Sequence, residues 1–199
     1  RGREGAAGGG KEHAGRGGGG IRGGLAAVFP ALREYGGGVV NDPVGPGGAT
    51  NKGVTMAVFR NCAKQYLGVE PTLDNLRALT DAQAGKIYKP LYWDKVRGDD
   101  IALQELANIV FDFQVNAGGE ASKLLQEVLN ELGAMPPLAV DGDIGTVTIT
   151  ALNGLDPKAV YRRYKLGRVD YYQNLVAKRP ALGKFLKGWL IRVNSFPEL

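Results

Sequence analysis

The stretch Ile101–Asn116 constrains the fold more than any other. Its apolar residues Ile101, Leu103, Leu106, Ala107, Ile109, Val110, Phe113 and Val115 nearly encircle a helix, so the helix has to be buried on most sides. Other segments with helical spacing can surround it: Thr55–Leu67, Leu73–Leu79, a helix from Thr80 toward Tyr88, Glu120–Leu132, one starting at Val147, and two longer ones at Pro157–Lys178 and Leu182–Val193. Thr80-Asp81-Ala82-Gln83 has the form of a capping box, and Pro90 ends the helix it opens. Asp99-Asp100 are expected to cap the central helix, and Gly118-Gly119 to break it. A further short helix is expected over Leu25–Arg33, followed by a turn at Gly36-Gly37-Gly38. Strand signals are scarce, so the expected fold class is all-α or nearly so.

Residues 1–24 contain twelve glycines and almost no large apolar side chain, which predicts a flexible tail. An arginine-glycine tail can bind single-stranded nucleic acid, but aromatic side chains for base stacking are missing from it. The remainder has ordinary apolar content for a packed core. A single cysteine, Cys62, and a single histidine, His13, exclude an internal disulfide and argue against a Cys/His metal site, so no metal or cofactor is expected. No run of about 18 apolar residues suggests a membrane span, and no cleavable signal is visible.

Charge is unevenly distributed. Residues 25–157 carry ten basic and sixteen acidic residues, whereas 158–192 carry ten basic residues and only Asp170 as an acid. A segment so basic favours an anionic polymer as partner: nucleic acid, a phospholipid surface or the bacterial wall. The acidic middle argues against an obligatory nucleic-acid partner.

The loop GGGVVNDPVGPGGATNKGVT at 36–55 fixes a backbone course that a generic helical domain does not need. It resembles the signature of glycoside hydrolase family 108, the lysozyme-like N-acetylmuramidases of bacteria and phages. IYKPLYWDKVRGDD at 87–100 and FDFQVNAGG at 111–119 resemble that family's Tyr-Trp loop and central helix. DGDIGTVTITALN at 141–153 and FLKGWLIRV at 185–193 resemble the peptidoglycan-binding segment usually fused to it. The resemblance implies a lysozyme-like helical domain over about 25–135 and a helical wall-binding segment over 136–199. It also implies cleavage of the β-1,4 bond between N-acetylmuramic acid and N-acetylglucosamine, at the bacterial cell wall, with peptidoglycan glycan strands as partner.

That chemistry needs a protonated carboxyl group at the leaving oxygen, and usually a second carboxylate. Aligning Val40-Asn41-Asp42-Pro43 with the signature puts the family's catalytic Glu at Gly36 and a signature Asp at Gly45, and neither glycine can transfer a proton. Three accounts stay open. Glu34 acts from two residues upstream with Asp42 as its partner; or the chain binds glycan without cutting it; or glycine stands at these positions in place of side chains the natural chain carries. Thr50 matches a position where lysozyme-like sites hold the nucleophilic water, and the resemblance implies a substrate-binding role for Asn51 of the same signature. Tyr88, Tyr92 and Trp93 either form a sugar-stacking wall or belong to the core. Asn116 either binds an N-acetyl group or is a polar helix end. In the C-terminal segment Asp141, Gly142, Ile144 and Gly145 form a turn of the kind found in wall-binding modules, and Trp189 is a further wall-binding candidate.

Overall fold

The protein is described by a computed structural model over residues 49–199. The helix expected over Leu25–Arg33, and positions 34–48 with the glycine-rich part of the signature, lie outside the described residues. The architecture is all-α apart from one small hairpin, Thr50–Asn51 (β1) paired antiparallel with Val54–Thr55 (β2). Its two-residue loop has positive φ at both positions, Lys52 (51°) and Gly53 (76°), the pattern of a type I′ turn that matches strand twist. The hairpin adds to the expected all-helical pattern, since two-residue strands are too short to show alternation in sequence.

Among the described residues eight α-helices follow: α1 Met56–Cys62, α2 Leu73–Arg77, α3 Asp81–Tyr88, α4 Gln104–Ala117, α5 Glu120–Glu131, α6 Thr146–Asn153, α7 Pro157–Lys178 and α8 Gly183–Asn194. Local signals explain most of their starts. Thr55 caps α1 by accepting from the Val58 amide at 3.2 Å. Thr80 and Gln83 form the expected capping box on α3, with reciprocal bonds of 3.2 and 3.0 Å. Asp156 caps α7, and Pro157 sits in its first turn, where no amide proton is needed. The apolar run expected over Thr55–Leu67 divides into α1 and a π-helical turn, Ala63–Leu67, that closes on Gly68 at φ 67°. A second π-helical turn, Lys89–Trp93, carries the chain on past Tyr88 through Pro90.

One capping expectation fails. Asp99 and Asp100 do not cap the central helix; they lie in a 3-10 turn at Gly98–Asp100, and α4 begins only at Gln104. Both carboxylates are engaged elsewhere: Asp99 accepts from the Trp93 indole at 2.9 Å, and Asp100 from Arg97 at 2.7 Å.

Helix α4 is the buried centre, as its sequence implied, with Leu106, Ala107, Ile109, Val110, Phe111 and Phe113 fully enclosed. Helices α5 and α7 pack on it, and α8 packs back along α7. One apolar cluster runs from Val54 to Val193 without interruption. At its middle lies a charge. Asp112, 4% exposed, accepts from Arg168 of α7 at 2.6 Å and from Arg192 Nε of α8 at 2.9 and 3.0 Å. Arg168 is wholly buried, lies 4.9 Å over the Phe113 ring and also meets Tyr172. Burial works against its charge, but the Asp112 carboxylate and Tyr172 hydroxyl outweigh that and hold its pKa above the usual range.

Removing one member of such a cluster strands the others without a partner. Asp112→Ala is expected to cost about 3–5 kcal/mol of folding stability, read as a lower denaturation midpoint in urea. An unchanged midpoint would show that the two arginines are satisfied without it.

Candidate functional site

The hairpin that ends the signature loop is anchored at three points. Asn51, 7% exposed, donates both amide protons to the last carbonyls of α2, Leu76 at 2.9 Å and Arg77 at 3.0 Å. Lys52 pairs with Asp81 at the start of α3 at 2.7 Å, and its carbonyl accepts from the Tyr88 hydroxyl at the end of α3 at 3.2 Å. Gly53 packs so closely that a Cβ there would stand 2.3 Å from the Tyr88 oxygen. Thr50 is thereby held half-buried at the hairpin's entry, opposite Thr55. Asn51 spends its amide donors on the scaffold.

The three aromatics of the 87–93 segment separate. Trp93 is fully buried and packs edge-on to Phe111 at 5.4 Å. A Cβ on Gly98 would lie 2.2 Å from its ring, so a glycine is required for the chain to cross the indole. At Trp93 the structure therefore places core rather than sugar-stacking wall. Tyr88 is buried too, and only Tyr92, half-buried and tilted against Tyr88 at 5.5 Å, keeps ring surface accessible.

Asn116 is exposed at the end of α4, and its Oδ1 accepts from the Tyr172 hydroxyl at 2.6 Å. Trp189 stacks on the same Tyr172, with ring centroids 5.0 Å apart and planes inclined by 20°. The structure thus joins Asn116 and Trp189, two candidates chosen for different reasons, through one tyrosine. Trp189 takes no part in the 141–145 turn; its other ring contact is Phe185.

That turn is built on Gln126 of α5, a buried polar residue with no local sequence signal for this role. Its Nε2 donates to Asp141 Oδ1 at 2.8 Å and to the Asp143 carbonyl at 3.0 Å, while its Oε1 accepts from the Gly142 amide at 2.9 Å. The Asp143 amide also donates to Asp141 at 2.9 Å. These bonds hold the Asp141 carboxyl below the usual carboxylate range. Gly142 takes φ 81°, and Ile144 is buried beneath the turn. Beside it, between the 133–138 connection and α6, open two adjoining concavities of about 340 and 320 Å3.

The other candidates, Glu34, Gly36, Asp42 and Gly45, lie outside the described residues. Among the described residues, no group of three His, Cys, Asp or Glu side chains is placed to hold a metal ion, and no helix is long and apolar enough to cross a membrane.

Comparison with known proteins adds to this geometry. Residues 29–118 match the family described as Glycosyl hydrolase 108, and residues 120–194 match the Predicted Peptidoglycan domain. Residues 29–118 are thus a glycoside hydrolase family 108 segment, and 120–194 a peptidoglycan domain. No curated protein matches. A solved structure of Brucella abortus SagA is similar over 85% of this chain and 88% of that one, at 29% identity and a TM-score of 0.65. The two family matches meet at Gly119, between α4 and α5. The Asp112 cluster therefore ties the glycosidase segment, through α4, to the peptidoglycan-domain helices α7 and α8.

Burial pushes the Tyr88 hydroxyl, and Tyr161 on α7, from 10.0 up to about 12. The unfolded chain ionises these groups near 10, so between 10 and 12 the native state binds more protons than the unfolded state and stability falls as pH rises. Urea unfolding across this window is expected to show that decline, and Tyr88→Phe to flatten it. An equal slope in the variant would mean that Tyr88 is not responsible.

Proposed function

We propose that the chain is an N-acetylmuramidase that cleaves the β-1,4 bond between N-acetylmuramic acid and N-acetylglucosamine in peptidoglycan. The observation that carries this reading is the fusion, within one packed core, of a glycosidase segment and a peptidoglycan domain. The basic 158–192 region favours approach to the anionic wall.

Hydrolysis runs through an oxocarbenium-like state. A carboxyl group protonates the leaving oxygen, and a second carboxylate steadies the sugar or directs water. The signature assigns the acid to position 36 and a second carboxylate to position 45, both glycine in this chain; Glu34 and Asp42 are the nearest carboxylates along it. Thr50, fixed by the anchored hairpin, is suited to hold the attacking water. Tyr92, with its accessible ring, is the stacking surface for a pyranose, while Tyr88 and Asn51 act beneath it as scaffold. Asn116 borders the glycan path through its exposed amide.

Gly36 and Gly45 favour a second reading, a peptidoglycan-binding protein of the same fold that does not cut. A turbidity and product assay on purified sacculi separates the two, comparing the chain with Gly36→Glu, Gly45→Asp and Glu34→Gln. Cleavage by the chain that Glu34→Gln lowers by about 100-fold or more supports the displaced acid. Retention on sacculi with cleavage only after Gly36→Glu supports the binding protein.

A further inference from the structure

We propose that the peptidoglycan domain recognises the peptide stems of the wall, rather than its sugars, in the double concavity beside α6. This rests on the wall-binding reading above and names its ligand. The two concavities share Leu138, Thr146 and Val147, so together they form one bent groove. Small residues line the larger, with Ala134 buried at its floor, Ala151 half-buried and Gly154 exposed. Its lips, Met135 and Val147, are 83% and 64% exposed, and Val140 nearby is 42% exposed. Large apolar side chains gathered at the mouth of a concavity mark a surface that a ligand covers.

The lining decides between sugar and peptide. Pyranose C–H faces pack on aromatic rings, and no aromatic side chain lines either concavity. A lining of small residues between aliphatic lips fits alanyl side chains. The smaller concavity is lined by Asp141 and Asp143, with Asp141 oriented by Gln126, which suits an ammonium group. Thr146 and Thr148 add hydroxyl groups to the lining of the smaller concavity. A wall stem peptide carries alanyl methyls to meet the small apolar lining and, on its diamino acid, a side-chain amine to meet the two carboxylates.

The test is retention of the full chain on sacculus material immobilised through its glycan strands, intact or stripped of its stems by an amidase, with an amide-shift titration using L-Ala–γ-D-Glu–meso-diaminopimelate. Stem removal is expected to weaken retention by about tenfold or more, with tripeptide-induced shifts concentrated over 133–155. Val147→Lys changes an exposed lip residue and so leaves the fold intact; it and Asp143→Asn should each weaken tripeptide binding by roughly fivefold. Equal retention on intact and stripped sacculi, or shifts centred elsewhere, overturns the proposal while leaving wall binding in place. Absence of retention on both overturns the wall-binding reading itself, and this proposal with it.

Discussion

The structure depends on one buried carboxylate. Asp112 lies on the helix that everything else packs around, and it takes hydrogen bonds from arginines on two later helices, Arg168 on α7 and Arg192 on α8. An ion pair in a core contributes little net stability over a well-packed apolar alternative, because each charge loses its hydration. Its effect here is positional: with Asp112 fixed on α4, α7 and α8 have one arrangement in which neither guanidinium is stranded. That arrangement also brings Tyr172 between Asn116 and Trp189 and the C-terminal residues back onto α7, where Tyr161 and Lys165 donate to the carbonyls of Pro197 and Phe196.

The glycosidase segment follows a similar logic on a smaller scale. Its hairpin is too short to be stable alone, and it persists because Asn51, Lys52 and Gly53 are tied to α2 and α3. The Trp93 indole, enclosed by Gly98 and Phe111 and bonded to Asp99, fixes the turns that lead into α4. Of the residues that the resemblance suggests as sugar contacts, Asn51, Tyr88 and Trp93 are buried, Tyr92 is half-buried and Asn116 is exposed.

The helices were legible because their signals are local. The capping box at Thr80, the proline at 157 and the encircling apolar pattern of α4 can each be read within one or two turns of chain. Thr146–Asn153 and Gly183–Asn194 were likewise found to within a residue or two. What escaped depends on partners far along the chain. Asp112 pairs with residues 56 and 80 positions away, although its place between Phe111 and Phe113 in an apolar helix signals that a partner must exist. Gln126 is similar: nothing near it in sequence shows that it organises the 141–145 turn. The Asp99-Asp100 pair misled because an acidic pair before an apolar helix normally reads as a cap, whereas here an indole and a guanidinium compete for both carboxylates.

Over the described residues the glycosidase segment and the peptidoglycan domain thus share one packed core, with the Asp112 cluster at the seam. Scanning calorimetry of the full chain tests this most directly. Unfolding as one body predicts a single transition whose calorimetric and van't Hoff enthalpies agree. Two separated transitions, one for each family segment, would contradict it.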